Sequence, residues 1–121
     1  MMHSPAFLKL VDEAKRRITQ TTPKHVKAKL EKKEQFRLID VREASEWRNG
    51  HIKGAIHLSK GIIERDIEKT VPDKSAEVIL YCGGGYRSAL VADNLQKMGY
   101  ANVVSMSGGW RKWIALDYPT K

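Results

Sequence analysis

A length of 121 residues suits one compact domain, large enough to bury a core without disulfides or metals. Hydrophobic content of 41% and charged content of 30% describe an ordinary soluble globular protein. The formal net charge of +8 favours anionic partners, but the ten Lys and Arg in the first 37 residues are accompanied there only by Phe7 and Phe36, so the basic–aromatic interleaving of nucleic-acid binders is missing and no nucleic-acid partner is expected.

The first predicted element is a helix. Ser4 is its N-cap and Pro5 its first residue, followed by Phe7, Leu8, Val11, Ala14 and Ile18 at helical spacing. A short strand is expected at Ile18–Gln20. Thr22 then caps a second helix that starts at Pro23 and carries Val26 and Leu30 on one face. Phe36–Val41 reads as a strand ending in the charged group Asp40, Arg42 and Glu43. Residues 50–58 hold a turn and a short strand, and 61–70 a helix with Ile62, Ile63 and Ile67 inward. Glu77–Tyr81 is a strand whose continuous Val78-Ile79-Leu80 run suits burial on both faces. A glycine loop follows, then a helix over 88–98 that Gly99 ends. Val103–Ser105 is the next strand, and Gly108-Gly109 turns into a last helix bearing Trp110, Trp113 and Ile114. Alternating strands and short-looped helices predict an α/β fold with a mainly parallel central sheet, helices on both faces and an extra N-terminal helix.

The loop carries the chemistry. Ligands of open parallel sheets bind beyond the carboxyl ends of strands, and Tyr81-Cys82-Gly83-Gly84-Gly85-Tyr86-Arg87-Ser88 sits at such an end. Three glycines can curl so that successive N–H groups converge on an anion. The following helix adds its positive end, and Arg87 a full positive charge. A lone cysteine is often only a small buried hydrophobe. Placed between a buried strand and this cradle, Cys82 is instead in the setting that makes a thiol a nucleophile. The single cysteine excludes an internal disulfide, a cysteine-built zinc site and an internal resolving thiol. It suits a reducing compartment. The start Met-Met-His-Ser-Pro has no basic region followed by an apolar run, and no apolar run spans a bilayer, so a cytoplasmic location without membrane contact is expected.

Four ordered motifs carry a family resemblance: Leu38-Ile39-Asp40-Val41-Arg42-Glu43, Gly50-His51-Ile52-Lys53-Gly54-Ala55, Cys82-Gly83-Gly84-Gly85-Tyr86-Arg87-Ser88, and Gly108-Gly109-Trp110 with Trp113. From about Ile18 to Pro119 the chain resembles single-domain rhodaneses, which are thiosulfate sulfurtransferases. Lys53 departs from the family, where proline is common, at a turn outside the loop. The resemblance divides the chain into a helical extension, 1–17, and a rhodanese-like domain, 18–121. It implies that Cys82 takes the outer sulfur of an anionic donor such as thiosulfate, becomes a persulfide, and passes the sulfur to cyanide or a thiol. It implies that Gly83, Gly84, Gly85, Tyr86, Arg87 and Ser88 form the substrate-binding loop, that Asp40 and Arg42 support it, and that no cofactor or metal takes part. Related phosphatases place one more residue between cysteine and arginine; the four from Gly83 to Tyr86 match the shorter, sulfur-handling loop.

Other residues have structural or supporting readings. Asp40 orients Arg87 or Arg42, or pins the strand end as a structural ion pair. His51 and His57 match no compact metal spacing, and Gly-His-Ile reads as a structural turn. His3 and His25 read as surface residues. Trp110 packs the last helix or walls the entrance, Tyr86 forms the pocket rim, and Arg87 either meets the leaving anion, the preferred reading, or braces the loop. The N-terminal helix is expected on the domain's own sheet edge.

Overall fold

The computed structural model describes residues 3–121. In chain order the elements are α1 (Pro5–Lys15), β1 (Thr19–Thr21), α2 (Pro23–Glu31), β2 (Arg37–Asp40), α3 (Ala44–Arg48), β3 (Ile56–His57), α4 (Ile63–Thr70), β4 (Val78–Tyr81), α5 (Tyr86–Lys97), β5 (Val103–Met106) and α6 (Gly109–Ala115). The five strands form one sheet in the order β1-β5-β4-β2-β3, with every adjacent pair parallel.

Two apolar layers cover the sheet, as the strand period of two requires. Val78 and Leu80 of β4 join Ile63, Ile67, Val91, Ala92 and Leu95 in one core, beneath α4 and α5. Ile79 and Tyr81 point the other way, to Val26 of α2, Met106 and Trp113 of α6. Adjacent strands β4 and β5 therefore send their following helices to opposite faces, which opens a crevice at their carboxyl ends.

Ser4 and Thr22 cap their helices as expected, accepting from the N–H of Phe7 and His25, each at 3.2 Å. Two expected helix boundaries shift, and one short helix was not expected. The helix after the glycine loop begins at Tyr86, two residues early, because Gly85 in the left-handed region (φ 98°) already serves as its N-cap. Helix α4 starts at Ile63, leaving Ile62 half-buried at its N-cap rather than inward. The short helix α3 has no sustained apolar period; a reciprocal capping box between Glu43 and Glu46 forms it.

Helix α1 is held by α5 rather than by the sheet edge. Val11 and Ala14 are fully covered. Arg17 forks onto Asp93 at 2.9 and 2.7 Å, and Gln96 donates to the Arg17 carbonyl at 3.1 Å. The side of α5 that meets the α1 region carries Tyr86, Asp93 and Gln96.

Candidate active site

Cys82 immediately follows β4. Its side chain continues the Val78–Leu80 alternation and is buried beside the start of α5. The Gly85 N–H donates to Sγ at 3.1 Å, and the Ser88 hydroxyl lies 3.5 Å from Sγ on its other side. Ser88 is in turn 2.8 Å from the Ser105 hydroxyl of β5, so two strands fix its position.

The three glycines serve different purposes. Only Gly85 uses a positive φ. A Cβ at Gly83 would lie 3.1 Å from Arg87 Nη2, so this glycine admits that guanidinium close to the backbone; one at Gly84 would meet Arg111 Nη1 at an ordinary contact distance of 3.5 Å. The loop is oriented from behind by α6. Trp110 N–H donates to the Cys82 carbonyl at 2.8 Å and Arg111 N–H to that of Gly83 at 3.0 Å. These peptide bonds are trans. Their other ends, the N–H groups of Gly83 and Gly84, must then point away from α6. Neither N–H has a backbone partner among the described residues.

A cavity of about 570 Å³ opens over the loop, lined by His3, Ser4, Phe7, Glu46, Cys82, Gly84, Tyr86, Arg87 and Arg111. Tyr86 stands in its wall as expected. Arg87 lines it too, but its guanidinium is gripped by Glu46, with Nη1–Oε1 at 2.7 Å and Nη2–Oε2 at 3.1 Å. The same bond holds the Glu46 carboxyl down at about 2, far below its ordinary value.

Asp40 does not reach Arg87. It takes Arg42 in a fully buried pair, with Nη2–Oδ2 at 2.7 Å, and also accepts from the Arg42 backbone N–H at 2.9 Å. Arg42 continues to the Gly50 carbonyl at 2.7 Å and lies over the Trp110 ring at 4.7 Å. Trp110 is therefore part of this brace and does not line the cavity. His51 stacks on Trp47 with ring centres 3.4 Å apart, and His57 bonds the Arg42 carbonyl at 2.7 Å; both hold the β2–β3 connection. Tyr81 donates no charge to the site: its hydroxyl meets the Ile52 N–H at 3.0 Å, and burial pushes its pKa up.

Glu46 and Arg111 were not expected at the site, and His3, expected at the surface, and Phe7, expected only on the helix stripe, line its cavity instead. Arg111 was legible in part, since it follows a second strand–Gly-Gly–helix turn that ends beside the first. His3 and Phe7 had no local signal. They reach the site only because α1 lies along α5, where both rings meet Tyr86, at 4.9 and 6.2 Å between centres.

The family profile for the rhodanese-like domain matches residues 22–116. Thiosulfate sulfurtransferase GlpE of Coxiella burnetii is 36% identical over 97 residues, covering 79% of this chain and 88% of that protein. YrkF of Bacillus subtilis, whose name marks it as a candidate sulfur carrier protein, is 30% identical over 87 residues; the match covers 72% of this chain but 46% of YrkF. Among solved structures, a Rhodopseudomonas palustris protein described as a possible tyrosine phosphatase superposes with a TM-score of 0.84 at 25% identity, covering 100% of this chain and 98% of that one.

Proposed function

The chain belongs to the rhodanese-like domain family, and from that premise we propose that it is a sulfurtransferase working through a persulfide on Cys82. The observation that carries the reading is the buried Sγ, which takes the Gly85 N–H at 3.1 Å at the floor of an arginine-bearing cavity. Its thiolate attacks the outer sulfur of thiosulfate. A bond forms from Sγ to that sulfur, the bond from that sulfur to the sulfonyl sulfur breaks, and sulfite leaves with the electron pair. Two negative charges leave with sulfite and one stays on the terminal sulfur of Cys82, balancing the three that entered. The N–H groups of Gly83, Gly84, Gly85, Tyr86 and Ser88, together with the N-terminal end of the twelve-residue α5, hold that persulfide anion. A thiol, or cyanide in an assay, then takes the sulfur and returns the thiolate.

Arg87 acts here as a brace, tied to Glu46, rather than as the residue that meets the leaving anion. Asp40 and Arg42 act one layer further out, fixing Trp110 and with it the α6 turn behind the loop. Residues 1–17 form an extension on a domain of 18–121, a division supported by the family match beginning at residue 22. We infer a cytoplasmic location because a single cysteine suits a reducing compartment; no helix among the described residues is long and apolar enough to cross a membrane.

Incubation with thiosulfate followed by intact-mass measurement tests the reading. One added sulfur atom is expected in the wild type, absent in Cys82→Ser and removed by cyanide. The likeness to the Rhodopseudomonas protein favours one competing reading, phosphate-ester hydrolysis. Turnover of an aryl phosphate without any sulfur adduct would establish it instead.

A further inference from the structure

Two arginines line the cavity over Cys82, and they differ in what already holds them. Arg87 has its two terminal nitrogens on the two oxygens of Glu46. An anion that recruited it would have to displace a bidentate carboxylate, the strongest common type of charged hydrogen bond. Arg111 has no such partner. Among the described residues its side chain makes no hydrogen bond and no ion pair, although nine ion pairs form elsewhere in this basic chain.

Its position is nevertheless fixed. The Arg111 N–H is bonded to the Gly83 carbonyl at 3.0 Å, so the root of the side chain is tied to the Cys82 loop itself. From there the guanidinium lies along the loop. Nη1 is 3.5 Å from where a Cβ on Gly84 would stand, and Nη2 4.0 Å from the corresponding point on Gly83. Both are ordinary contact distances, so the guanidinium rests against the bare backbone of the two glycines. The loop's lack of side chains thus leaves a cationic fork resting beside the nucleophile with its hydrogen-bonding capacity unused.

We infer that Arg111 is the recognition residue for the anionic end of the substrate, and that Arg87 is not. The inference rests on the sulfur-transfer reading for the identity of that anion, a sulfonate-type group such as the SO₃ end of thiosulfate. With that group on Arg111, the outer sulfur is directed down toward Sγ, and sulfite departs along the guanidinium. A planar fork matches two oxygens of a tetrahedral oxyanion. Selection of the donor is therefore separated from the carboxylate-locked arginine that shapes the loop.

The test separates recognition of charge from sulfur chemistry. Alkylation of Cys82 by iodoacetate is compared with alkylation by iodoacetamide; in both, Sγ bonds to the CH₂ carbon and iodide leaves, but only the first reagent carries a carboxylate. In Arg111→Gln the iodoacetate-to-iodoacetamide rate ratio is expected to fall about tenfold, the scale of one lost charge-assisted hydrogen bond, with the iodoacetamide rate unchanged. Arg111→Lys keeps most of the ratio. Lys112→Gln, which removes the same charge one residue along, leaves it as in the wild type. Thiosulfate kcat/KM falls in parallel in Arg111→Gln, through KM. An unchanged ratio in Arg111→Gln, or an equal fall in Lys112→Gln, overturns the assignment. A shifted ratio with no thiosulfate adduct in the wild type leaves Arg111 as the anion guide and removes the sulfur-transfer reading alone.

Discussion

Gly109 lies against the carbonyl oxygen of Cys82 so closely that a methyl group could not be inserted between them. The would-be Cβ also falls 2.9 Å from both the carbonyl carbon and oxygen of Gly83, and the residue has φ 53°. The contact joins the turn after β5 to the loop after β4, and it is what lets the Trp110 and Arg111 N–H groups reach the loop carbonyls. Gly109→Ala is therefore expected to push the loop off α6. Sulfur transfer should drop by well over tenfold, with a stability loss on the order of 1–3 kcal/mol from the left-handed backbone and the clash. Gly61→Ala is the control, because nothing lies within 4 Å of its would-be Cβ. Thermal unfolding and persulfide formation, measured on both, check the pair; equal behaviour would show that the loop does not depend on this contact.

The buried Asp40–Arg42 pair sets a second expectation. Both side chains are nearly inaccessible, at 0% and 3%. Asp40→Asn removes the charge that compensates a buried guanidinium, a change that costs about 3–5 kcal/mol in such pairs. Chemical denaturation should register a loss on that scale. Because Arg42 also supports Trp110, the variant is expected to lose persulfide formation at temperatures below its unfolding transition. A loss under 1 kcal/mol would mean that solvent reaches the pair.

The Glu46–Arg87 bond is pH-dependent with a definite sign. The carboxyl has a folded value of about 2 against an ordinary 4.5. A lowered folded value stabilises above the ordinary one and loses that contribution as the pH falls toward the folded one. The stability difference between wild type and Glu46→Gln should be constant above about pH 5 and close between 4.5 and 2. The side chains are 30% and 37% exposed, so screening keeps the difference small. Urea midpoints across that range decide it; a difference that widened on acidification would reverse the assignment.

Helix α1 contributes a wall that the family profile does not include. Phe7→Ala removes a ring that stands 6.2 Å from Tyr86 and lines the cavity. Widening at this point favours bulky acceptors. The rate with a tripeptide thiol is expected to rise relative to that with cyanide, while thiosulfate loading is little changed. Single-turnover rates for the two acceptors measure this, and an unchanged ratio would place acceptor entry elsewhere.

The fold was largely legible because its signals are local. Ser4-Pro5 and Thr22-Pro23 mark helix starts by capping chemistry, and Val78-Ile79-Leu80 marks a central strand by uninterrupted apolar character. Cys82 was legible for the same reason: strand end, glycines and helix start are consecutive in the chain. The short helix α3 escaped because its five residues bury no apolar face. Glu46 escaped with it, since its partner lies 41 residues away.

By itself the sequence determined the α/β order, the position of Cys82 at a strand's carboxyl end, and the loop of four residues between Cys82 and Arg87. Those depend on backbone preferences and on neighbours along the chain. Which arginine is free depended on the tertiary structure, because a guanidinium's role is set by the carboxylate that reaches it. Folding brings Glu46 to Arg87, Asp40 to Arg42 and Asp93 to Arg17. It leaves Arg111, anchored by its own N–H to the Gly83 carbonyl, lining the cavity over Cys82 with no carboxylate partner among the described residues.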